Sequence, residues 1–435
     1  MKIVVIGTGY VGLAQGVCLA HLGHDVICVD LDVAKVDALN RGEVPIFERD
    51  LPELLHENLL AGRITFTNDL AEAVADNPAV VFVCVQTPQH DDGSCDLSYI
   101  ERVLRDVGAK IKADTIVVVK STVPPGTRTV MHEWLNNPEI ELAANPEFLR
   151  QGTSIQDFLH PDRIVIGVES ERAAQVLESL YVGIEAPIFI VSVETAQLTK
   201  YAANSMLASR LSFINEIAKI ADLVGADIKS VEKLVGLDHR IGEKFLRSSA
   251  GFGGGCLPKD TLALCHLGQT VGSEPIFLQS IIEVNDNQPR WFVRKIEKIL
   301  GNLDGQQVGV WGLSFNQGTD DVRYSPAIRI IEELLERGAK VVVYDPQAME
   351  KAKQVLGQDV MYAASAIEAA RGAVALFTLT EWPQFLEVDW LEVKQVLSRP
   401  IIFDAKHFLP HQELWEAGFE VHGIGLWRPE DSRQL

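Results

Sequence analysis

The beginning of the chain carries the pattern that most restricts its fold. A β-branched run at 3–6 leads into the segment Gly7-Thr8-Gly9-Tyr10-Val11-Gly12, a helical stretch continues to about Leu22, and a second strand at 25–29 ends at Asp30. A strand, G-x-G-x-x-G, a helix, a strand and an acid in this order are typical of a Rossmann unit that binds a dinucleotide. We therefore predict a parallel α/β sheet at this end of the chain.

The residue types of this unit indicate which dinucleotide it binds. The glycines allow the backbone to approach a pyrophosphate at the helix N-terminus. Asp30 would accept a hydrogen bond from a ribose 2′-hydroxyl and repel a 2′-phosphate, so we expect NAD rather than NADP. Lys35 either flanks the adenosine ribose or is an ordinary solvated helix lysine. The cofactor-binding residues predicted here are Gly7, Gly9, Tyr10, Val11, Gly12, Asp30 and Lys35.

A later segment echoes this unit. A strand at 306–313 begins it, and residues 338–345 parallel 23–30, each ending in an aspartate. The polar loop 314–323 replaces the tight glycines, so we expect this unit to bind mainly a ligand other than NAD.

Between the two units the pattern is helical. Residues 194–224 contain neither Pro nor Gly, another helix is expected at 228–235, and Pro275 opens a helical segment to about Leu300 that we expect Pro289 to interrupt. The fold class is therefore α/β, with two Rossmann-like parallel-sheet domains joined by a helical middle domain. We place the domains at 1–190, 191–300 and 301–435.

Composition excludes several classes of function. The 435 residues are 47% apolar and 23% charged, as in soluble globular proteins, and no apolar run is long enough for a membrane span. The apolar start is too short for a signal peptide, so we expect a cytoplasmic protein. The net charge of −21 argues against nucleic acid as a partner. The six cysteines show no C-x-x-C pair and no metal-ligand spacing, so no metal is expected.

The segment 251–260, Gly-Phe-Gly-Gly-Gly-Cys-Leu-Pro-Lys-Asp, is the strongest candidate for covalent chemistry. Pro258 suits the first turn of a helix, which places Cys256 at a helix N-terminus. Free amides, the helix dipole and Lys259 there favour a thiolate, the form of cysteine that attacks carbonyl carbons. The alternative is a buried structural cysteine in a glycine turn.

Further polar residues lie where ligands bind in such folds. Thr87 and Thr122 follow predicted strands, and ligands lie beyond the carboxyl ends of parallel strands. Lys200 and Asn204 are four residues apart and so share one face of the predicted helix, in a largely apolar stretch. They are either exposed to solvent or part of a site.

Taken together, these residues resemble the UDP-glucose/GDP-mannose dehydrogenase family. The matching segments span nearly the whole chain in the family's order. They are G-T-G-Y-V-G at 7–12, K-S-T-V-P-P-G-T at 120–127, N-P-E-F-L-R-Q-G at 145–152, K-Y-A-A-N at 200–204, D-H-R-I-G-E-K-F-L at 238–246, G-F-G-G-G-C-L-P-K-D at 251–260 and G-T-D-D-V-R at 318–323.

The resemblance implies an activity and a set of partners. The family oxidises the C6 alcohol of a nucleotide sugar, here UDP-glucose, to a carboxylate with NAD in a four-electron reaction. It also implies a middle-domain homodimer or a higher homo-oligomer, and a UDP-binding third domain.

By the same resemblance, Cys256 is the nucleophile that captures the aldehyde, and Lys200 is the base or oxyanion stabiliser. Asn204 shares the oxyanion, Glu147 and Thr122 act through water, and Asp260 supports proton transfer.

The resemblance also implies binding residues. Additional cofactor contacts are Thr87, Thr122, Gln151, Lys259 and Arg323. Substrate contacts are Glu147, Phe148, Leu149, Arg150, Gln151, Lys200, Asn204, Phe245, Leu246, Arg247, Phe252, Gly253, Phe315 and Asn316, with Arg240 reaching the substrate of the neighbouring subunit.

Several positions depart from the family pattern. Gln151 stands where Glu is usual and cannot act as a base. Gly255 replaces a common Ser, and Leu257 replaces the Phe of the UDP-glucose branch. Asn316 and Lys406 stand where a substrate-binding lysine and an arginine are usual, which bears on the pyrophosphate contacts.

Three alternatives remain open at this stage. The substrate could be GDP-mannose or a UDP-N-acetylhexosamine; the segment 238–242 favours UDP-glucose, whereas Leu257 points weakly toward GDP-mannose. The chain could be a two-electron alcohol dehydrogenase with a structural cysteine. It could also be a non-catalytic NAD-sensing or scaffold protein on the same fold.

Overall fold

A computed structural model describes residues 1–111 and 114–426. The last part of the predicted third domain, 427–435, lies outside these residues. Within them the fold comprises two compact units. One is formed by Met1–Ala203 with Ala263–Ser273, and the other by Asn204–Leu262 with the described residues from Glu274 onward.

The first unit contains an eight-stranded sheet flanked by helices. Its strands are β1 Lys2–Ile6, β2 Asp25–Val29, β3 Ile64–Thr67, β4 Val80–Val83, β5 Ile116–Val119, β6 Glu141–Ala144, β7 Ile164–Gly167 and β8 Ile188–Val191. Its helices are α1 Tyr10–His21, α2 Val33–Asn40, α3 Leu51–Leu60, α4 Leu70–Val74, α5 Ser98–Lys110, α6 Arg128–Leu135, α7 Ser154–Leu159 and α8 Glu171–Ser179.

The strand order is β3-β2-β1-β4-β5-β6-β7-β8. Every neighbouring pair is parallel except β6 and β7, where Ala144 lies opposite Gly167 in an antiparallel contact. The central strands are continuous apolar runs because helices cover both faces of the sheet, as β4 and β5, buried throughout, illustrate. The chain order reverses between β1 and β4, which is where such sheets bind ligands.

The middle of the chain is helical. It consists of α9 Val193–Val224, α10 Ile228–Gly236, α11 Leu257–Thr270 and α12 Ile276–Leu300. Helices α9 and α11 each contribute residues to both compact units.

The second unit also contains a parallel sheet. Its strands are β9 Gln307–Trp311, β10 Lys340–Tyr344, β11 Met361–Tyr362, β12 Leu376–Thr378, β13 Ile401–Asp404 and β14 Glu420–His422, in the order β11-β10-β9-β12-β13-β14. Its helices are α13 Pro326–Glu336, α14 Met349–Leu356, α15 Ala366–Ala370, α16 Trp390–Val396 and α17 His411–Glu416, with a short 3₁₀ turn at Pro383–Phe385.

The predicted fold class is confirmed: two parallel-strand sheets and a helical middle region. The expectation that Pro289 interrupts the last middle helix is wrong, because α12 continues through it. The preceding turn is held by tertiary hydrogen bonds, from Asn285 to Phe252 and from Gln288 to Ser249, which offset the backbone bond that proline removes. The domain limits at 190/191 and 300/301 remain predictions.

Candidate active site

The glycines of the first βαβ turn form an open cradle at the start of α1. Gly7 adopts a φ of +94°, and a Cβ added to Gly12 would lie 1.8 Å from the carbonyl oxygen of Gly7. A Cβ added to Gly9 would meet no heavy atom within 4 Å, so the space in front of that residue is open. Tyr10 and Val11 follow as the first residues of α1. This arrangement fits a pyrophosphate on the amides of a helix N-terminus.

Asp30 lies at the end of β2, facing the glycine turn. Its Oδ2 accepts hydrogen bonds from the Thr8 amide at 2.9 Å and the Thr8 hydroxyl at 2.5 Å, and it pairs with Lys35 Nζ at 2.9 Å. Partial burial raises the pKa of Asp30, but the bonds from Thr8 and Lys35 lower it more, and the resulting pKa is about 2. The carboxylate is therefore ionised at neutral pH.

The corresponding acid of the second sheet has a different environment. Asp345 is buried, and its Oδ2 accepts from the Leu313 amide at 2.7 Å and from Trp382 Nε1 at 3.0 Å. Its Oδ1 accepts from the amides of Gln347 and Ala348, each at 2.8 Å. These donors occupy the carboxylate within the protein, so Asp345 stabilises its own loop, whereas Asp30 lies beside an open cradle.

In the first unit, the ends of β5 and β6 bring polar groups to α9. Lys200 Nζ lies 2.9 Å from Glu147 Oε1, and both residues are buried. Burial raises the pKa of Glu147, but the Lys200 ammonium, the Leu149 amide and Lys120 together lower it more, so the pKa lies below its usual value. The pair adjoins a cavity of about 10 Å³, room for about one water molecule, lined by Thr122, Ser121, Gln197 and Lys200 among others.

The residues around Glu147 differ in exposure. The Leu149 amide donates to Glu147 Oε2 at 2.5 Å, which closes the turn. The Phe148 ring lies 3.6 Å from the Arg163 guanidinium and 5.5 Å from Lys200 Nζ. Arg150 is exposed and forms an ion pair with Asp157 at 2.5 Å. Thr87 is buried after β4 and Gln151 is half-buried.

In the second unit, Cys256 directly precedes α11. Its carbonyl accepts from the Asp260 amide at 2.9 Å, the first backbone bond of the helix, and the residue is exposed. Cys256 therefore lies at a helix N-terminus, as predicted, and it is not the buried cysteine of the alternative interpretation.

Asp260, in the first turn of α11, is the centre of a hydrogen-bonded group. It is 1% exposed, and its two oxygens accept separately from Asn204 Nδ2 and Lys259 Nζ, each at 2.6 Å. An asparagine amide has two N–H donors, so Asn204 retains one beyond its bond to Asp260.

The glycine segment packs closely against the loop before α13. A Cβ on Gly253 would lie 2.2 Å from the Tyr324 carbonyl oxygen, and one on Gly254 would lie 2.8 Å from the Phe315 ring. A Cβ on Gly255 would lie 2.8 Å from the Arg323 guanidinium. The absence of side chains allows these contacts. Phe252 is buried, and its amide donates to Asn285 Oδ1 at 2.8 Å.

The remaining predicted substrate residues of this unit are of two kinds: those near the Arg247–Glu381 pair, and the exposed Arg240. Arg247 pairs with Glu381, whose second oxygen lies 3.4 Å from Lys406 Nζ. Beside Arg247, Leu246 is buried and Phe245 has a φ of +60°, while Asn316 is half-buried. Arg240 is instead exposed and pairs with Asp238.

Sequence reasoning missed three residues that contact predicted site residues or their neighbours: Lys120, Glu381 and Asn285. Lys120 is buried at the end of β5. It begins the matched motif 120–127, and its position directly after an apolar strand was the pattern that could have indicated a buried lysine. Glu381 and Asn285 gave no signal, because their partners lie far away along the chain. In the described part of the chain, no cluster of His, Cys, Asp or Glu could hold a metal ion. Its helices include none with the length and apolar character needed to span a membrane.

Comparison with known proteins matches three family models along the chain. They are the UDP-glucose/GDP-mannose dehydrogenase family NAD-binding domain at residues 1–185, central domain at 194–287 and UDP-binding domain at 309–411.

A UDP-glucose 6-dehydrogenase of Rhizobium meliloti (strain 1021) is 41% identical, with 99% of this chain and 100% of that protein covered. A solved UDP-glucose dehydrogenase from Pyrobaculum islandicum is 39% identical, with a TM-score of 0.91 and 98% of each chain covered. A solved UDP-D-ManNAc dehydrogenase from Pyrococcus horikoshii is 27% identical, with a TM-score of 0.86 and coverage of 98% and 99%.

Proposed function

The chain belongs to the UDP-glucose/GDP-mannose dehydrogenase family, and we propose that it is an NAD-dependent enzyme that oxidises UDP-glucose to UDP-glucuronate. The observation that carries this proposal is about 40% identity, over nearly the full length, to proteins named UDP-glucose 6-dehydrogenase. The whole reaction removes four electrons from one sugar carbon.

The first unit holds the cofactor. Gly7, Gly9 and Gly12 fit the pyrophosphate, and Asp30 with Lys35 fits the adenosine ribose. NAD⁺ would supply the hydride acceptor, one molecule for each of the two oxidations. The other proposed cofactor contacts are Tyr10, Val11, Thr87, Thr122, Gln151, Lys259 and Arg323.

The buried polar groups manage the proton and the oxyanion. Lys200 takes the proton from the C6 hydroxyl as the hydride leaves, and Glu147 holds the amine in place at 2.9 Å. The cavity beside Thr122 offers a place for the water that this pair uses. The free N–H of Asn204 stabilises developing negative charge on the C6 oxygen.

Cys256 converts the intermediate aldehyde to the acid. Its thiolate adds to the aldehyde carbon to form a thiohemiacetal, which loses a second hydride and becomes a thioester. Water then adds to the thioester carbon, and the cysteine sulfur leaves as the carboxylate forms. The exposure of Cys256 at the start of α11 supports this role, because the helix N-terminus favours a thiolate. Asp260, between Asn204 and Lys259, supports the proton transfers.

The residues that we assign to substrate binding are those that the family resemblance implies. They are Glu147, Phe148, Leu149, Arg150, Gln151, Lys200, Asn204, Phe245, Leu246, Arg247, Phe252, Gly253, Phe315 and Asn316. Asn316 stands where a substrate-binding lysine is usual. Lys406 lies beside Glu381, which pairs with Arg247, and we propose that Lys406 contacts the pyrophosphate instead.

The second candidate is oxidation of a related nucleotide sugar. It is favoured by the similarity to a UDP-D-ManNAc dehydrogenase and by Leu257, which stands where the UDP-glucose branch has Phe. An assay of NADH formation with UDP-glucose, GDP-mannose and UDP-N-acetylhexosamines decides between the substrates. We expect the highest kcat/KM with UDP-glucose; a higher value with another sugar would reassign the enzyme.

The stoichiometry and Cys256 test the covalent mechanism. We expect two NADH per UDP-glucose. Cys256→Ala should be nearly inactive yet still bind NAD⁺ and UDP-glucose. Cys256→Ser should slow the second oxidation much more than the first, because a hydroxyl is a far weaker nucleophile than a thiolate.

Mass spectrometry of stalled Cys256→Ser would locate a glucuronyl ester on residue 256. One NADH per substrate, or normal turnover by Cys256→Ala, would return the cysteine to a structural role and indicate a two-electron dehydrogenase. No turnover with any nucleotide sugar would indicate a protein that only binds NAD.

We further propose a homodimer or a multiple of it in the cytoplasm. Helix α9 exposes Met206, Phe213 and Ile220 at intervals of seven residues, so they form an apolar stripe along one side. Arg240, exposed beside Asp238, is the proposed contact to the partner's substrate.

A further inference from the structure

A buried lysine that the reaction scheme does not use lies at the end of β5. Lys120 is 4% exposed, and its Nζ donates to the Asn145 carbonyl at 3.3 Å and to Asn145 Oδ1 at 3.0 Å. Among the residues that the structure describes, Lys120 forms no ion pair. A buried ammonium with only neutral acceptors is unfavourable and is seldom retained for packing alone.

Asn145 connects Lys120 to the Glu147–Lys200 pair. Its side chain is fixed from three directions, by Lys120, by the Tyr181 hydroxyl at 2.5 Å and by its own bond to the Val165 carbonyl at 2.8 Å. Glu147 follows two residues later and contacts Lys200. The position of the Glu147 carboxylate therefore depends on a segment that Lys120 helps to hold.

Lys120 lies within electrostatic reach of two other ionisable side chains of the proposed site. Glu147 and Lys200 both interact electrostatically with it, the carboxylate favouring its charged form and the second amine opposing it. Burial raises the pKa of the Cys84 thiol to about 12 and raises that of Tyr181 above its usual value, so both are neutral at pH 7. Both amines thus act on the Glu147 carboxylate and on each other.

We propose, on the basis of the proposed function, that Lys120 is a positioning residue for catalysis, whose buried charge facilitates proton loss from Lys200 and whose bonds to Asn145 orient Glu147. A neighbouring cation disfavours the protonated form of an amine. The Lys120 ammonium opposes the Lys200 ammonium, so a proton leaves Lys200 more readily than it would without that neighbour. The lowered pKa of Lys120, about 8 through burial, agrees with such a cluster.

The test measures the pH dependence of the first oxidation. In Lys120→Met the Lys200 amine loses its cationic neighbour, so its pKa rises, and the low-pH decline in kcat/KM should move to higher pH by about one unit. The apparent pKa of the low-pH decline is the informative quantity. A purely structural defect lowers kcat/KM at every pH but leaves this apparent pKa unchanged.

Tyr181→Phe is the matched control. It removes the other hydrogen bond to Asn145 Oδ1 without changing any charge. We expect its pH profile to stay at the wild-type position even if the rate falls. An equal displacement in both variants, or none in a folded Lys120→Met, would overturn the inference.

A second measurement does not need a folded Lys120 variant. Lysine ε-carbon NMR of the wild type should show a resonance titrating below about 9, and in Lys200→Met its midpoint should rise, because coupled groups affect each other reciprocally. An unchanged midpoint, or no such resonance, would overturn the proposal. Such a result would not affect the expected yield of two NADH per substrate. The role of Lys120 and the proposed four-electron oxidation can therefore be refuted independently.

Discussion

At the scale of single residues, the surroundings of an acid decide what it can do. Asp30 and Asp345 each follow a strand at equivalent places in the two sheets. Both acids accept several hydrogen bonds, but Asp345 is 1% exposed, whereas 15% of the Asp30 side chain is exposed beside the open space before Gly9. Only Asp30 is therefore available to a cofactor ribose.

Cofactor choice follows from the Asp30 charge. We expect wild-type kcat/KM to be much higher with NAD⁺ than with NADP⁺, and Asp30→Asn to reduce the ratio at least about tenfold, because the repulsion of a 2′-phosphate is lost. Since its pKa is about 2, Asp30 stays ionised at neutral and alkaline pH, and the wild-type ratio should not change above about pH 7.5, where the 2′-phosphate is also fully ionised. Steady-state kinetics with both cofactors measures it.

Asp345→Asn is the control for this substitution. It should lower the melting temperature, because two or more buried hydrogen bonds weaken, but leave the cofactor ratio unchanged. A wild type that uses both cofactors equally well would contradict the role assigned to Asp30.

At the scale of elements, the segment before α11 is shaped by its neighbours in the second unit. Helix α12 binds it through Asn285, which exchanges hydrogen bonds with the Phe252 amide and carbonyl. The loop before α13 packs against the glycines so closely that their lack of a side chain is required. The position of Cys256 therefore depends on two other elements.

Two neighbouring glycines should respond differently to a methyl group. In Gly253→Ala the new Cβ meets the Tyr324 backbone at 2.2 Å, so the segment must move, and we expect kcat/KM to fall by about 100-fold or more. In Gly255→Ala it meets the end of the Arg323 side chain, which can shift without moving the backbone; the loss should be within about tenfold and, because Arg323 is a proposed cofactor contact, should fall on the KM for NAD⁺. Similar losses in the two variants, measured by NADH formation, would argue against this packing account.

At the scale of the whole molecule, the exposed apolar side of α9 predicts self-association. The exposed Met206, Phe213 and Ile220 stripe on α9 would leave a large apolar surface in water if the chain were monomeric. We expect light scattering to give a dimer mass or a multiple of it, and Phe213→Asp to shift it toward the monomer. A fully active wild-type monomer would rule this assembly out.

The proposed cross-subunit contact makes a separate prediction. Arg240→Ala should raise the KM for UDP-glucose more than it lowers kcat, because the residue binds substrate and takes no part in bond making. Lys244→Ala, an exposed nearby cation, serves as the comparison. A fall in kcat with an unchanged KM would contradict the assignment.

The sequence by itself determined the features whose signal is local. The strand, glycine turn, helix and acid at the beginning of the chain predicted α1, β2 and Asp30, because each depends on neighbouring residues. Likewise, Pro258 and the glycines before it placed Cys256 at a helix N-terminus, and the resemblance of short motifs identified the family.

Only the tertiary structure decided the features that depend on residues distant in the chain. The Lys200–Glu147 pair, the burial of Lys120 and the Arg247–Glu381 contact join separate elements. Pro289 inside α12 was mispredicted for the same reason, since the bonds that hold that turn come from another segment. The helix propensity of a single residue contributes at most a few kcal/mol to stability. Packing and hydrogen bonds from buried polar groups outweigh it where the tertiary structure provides them.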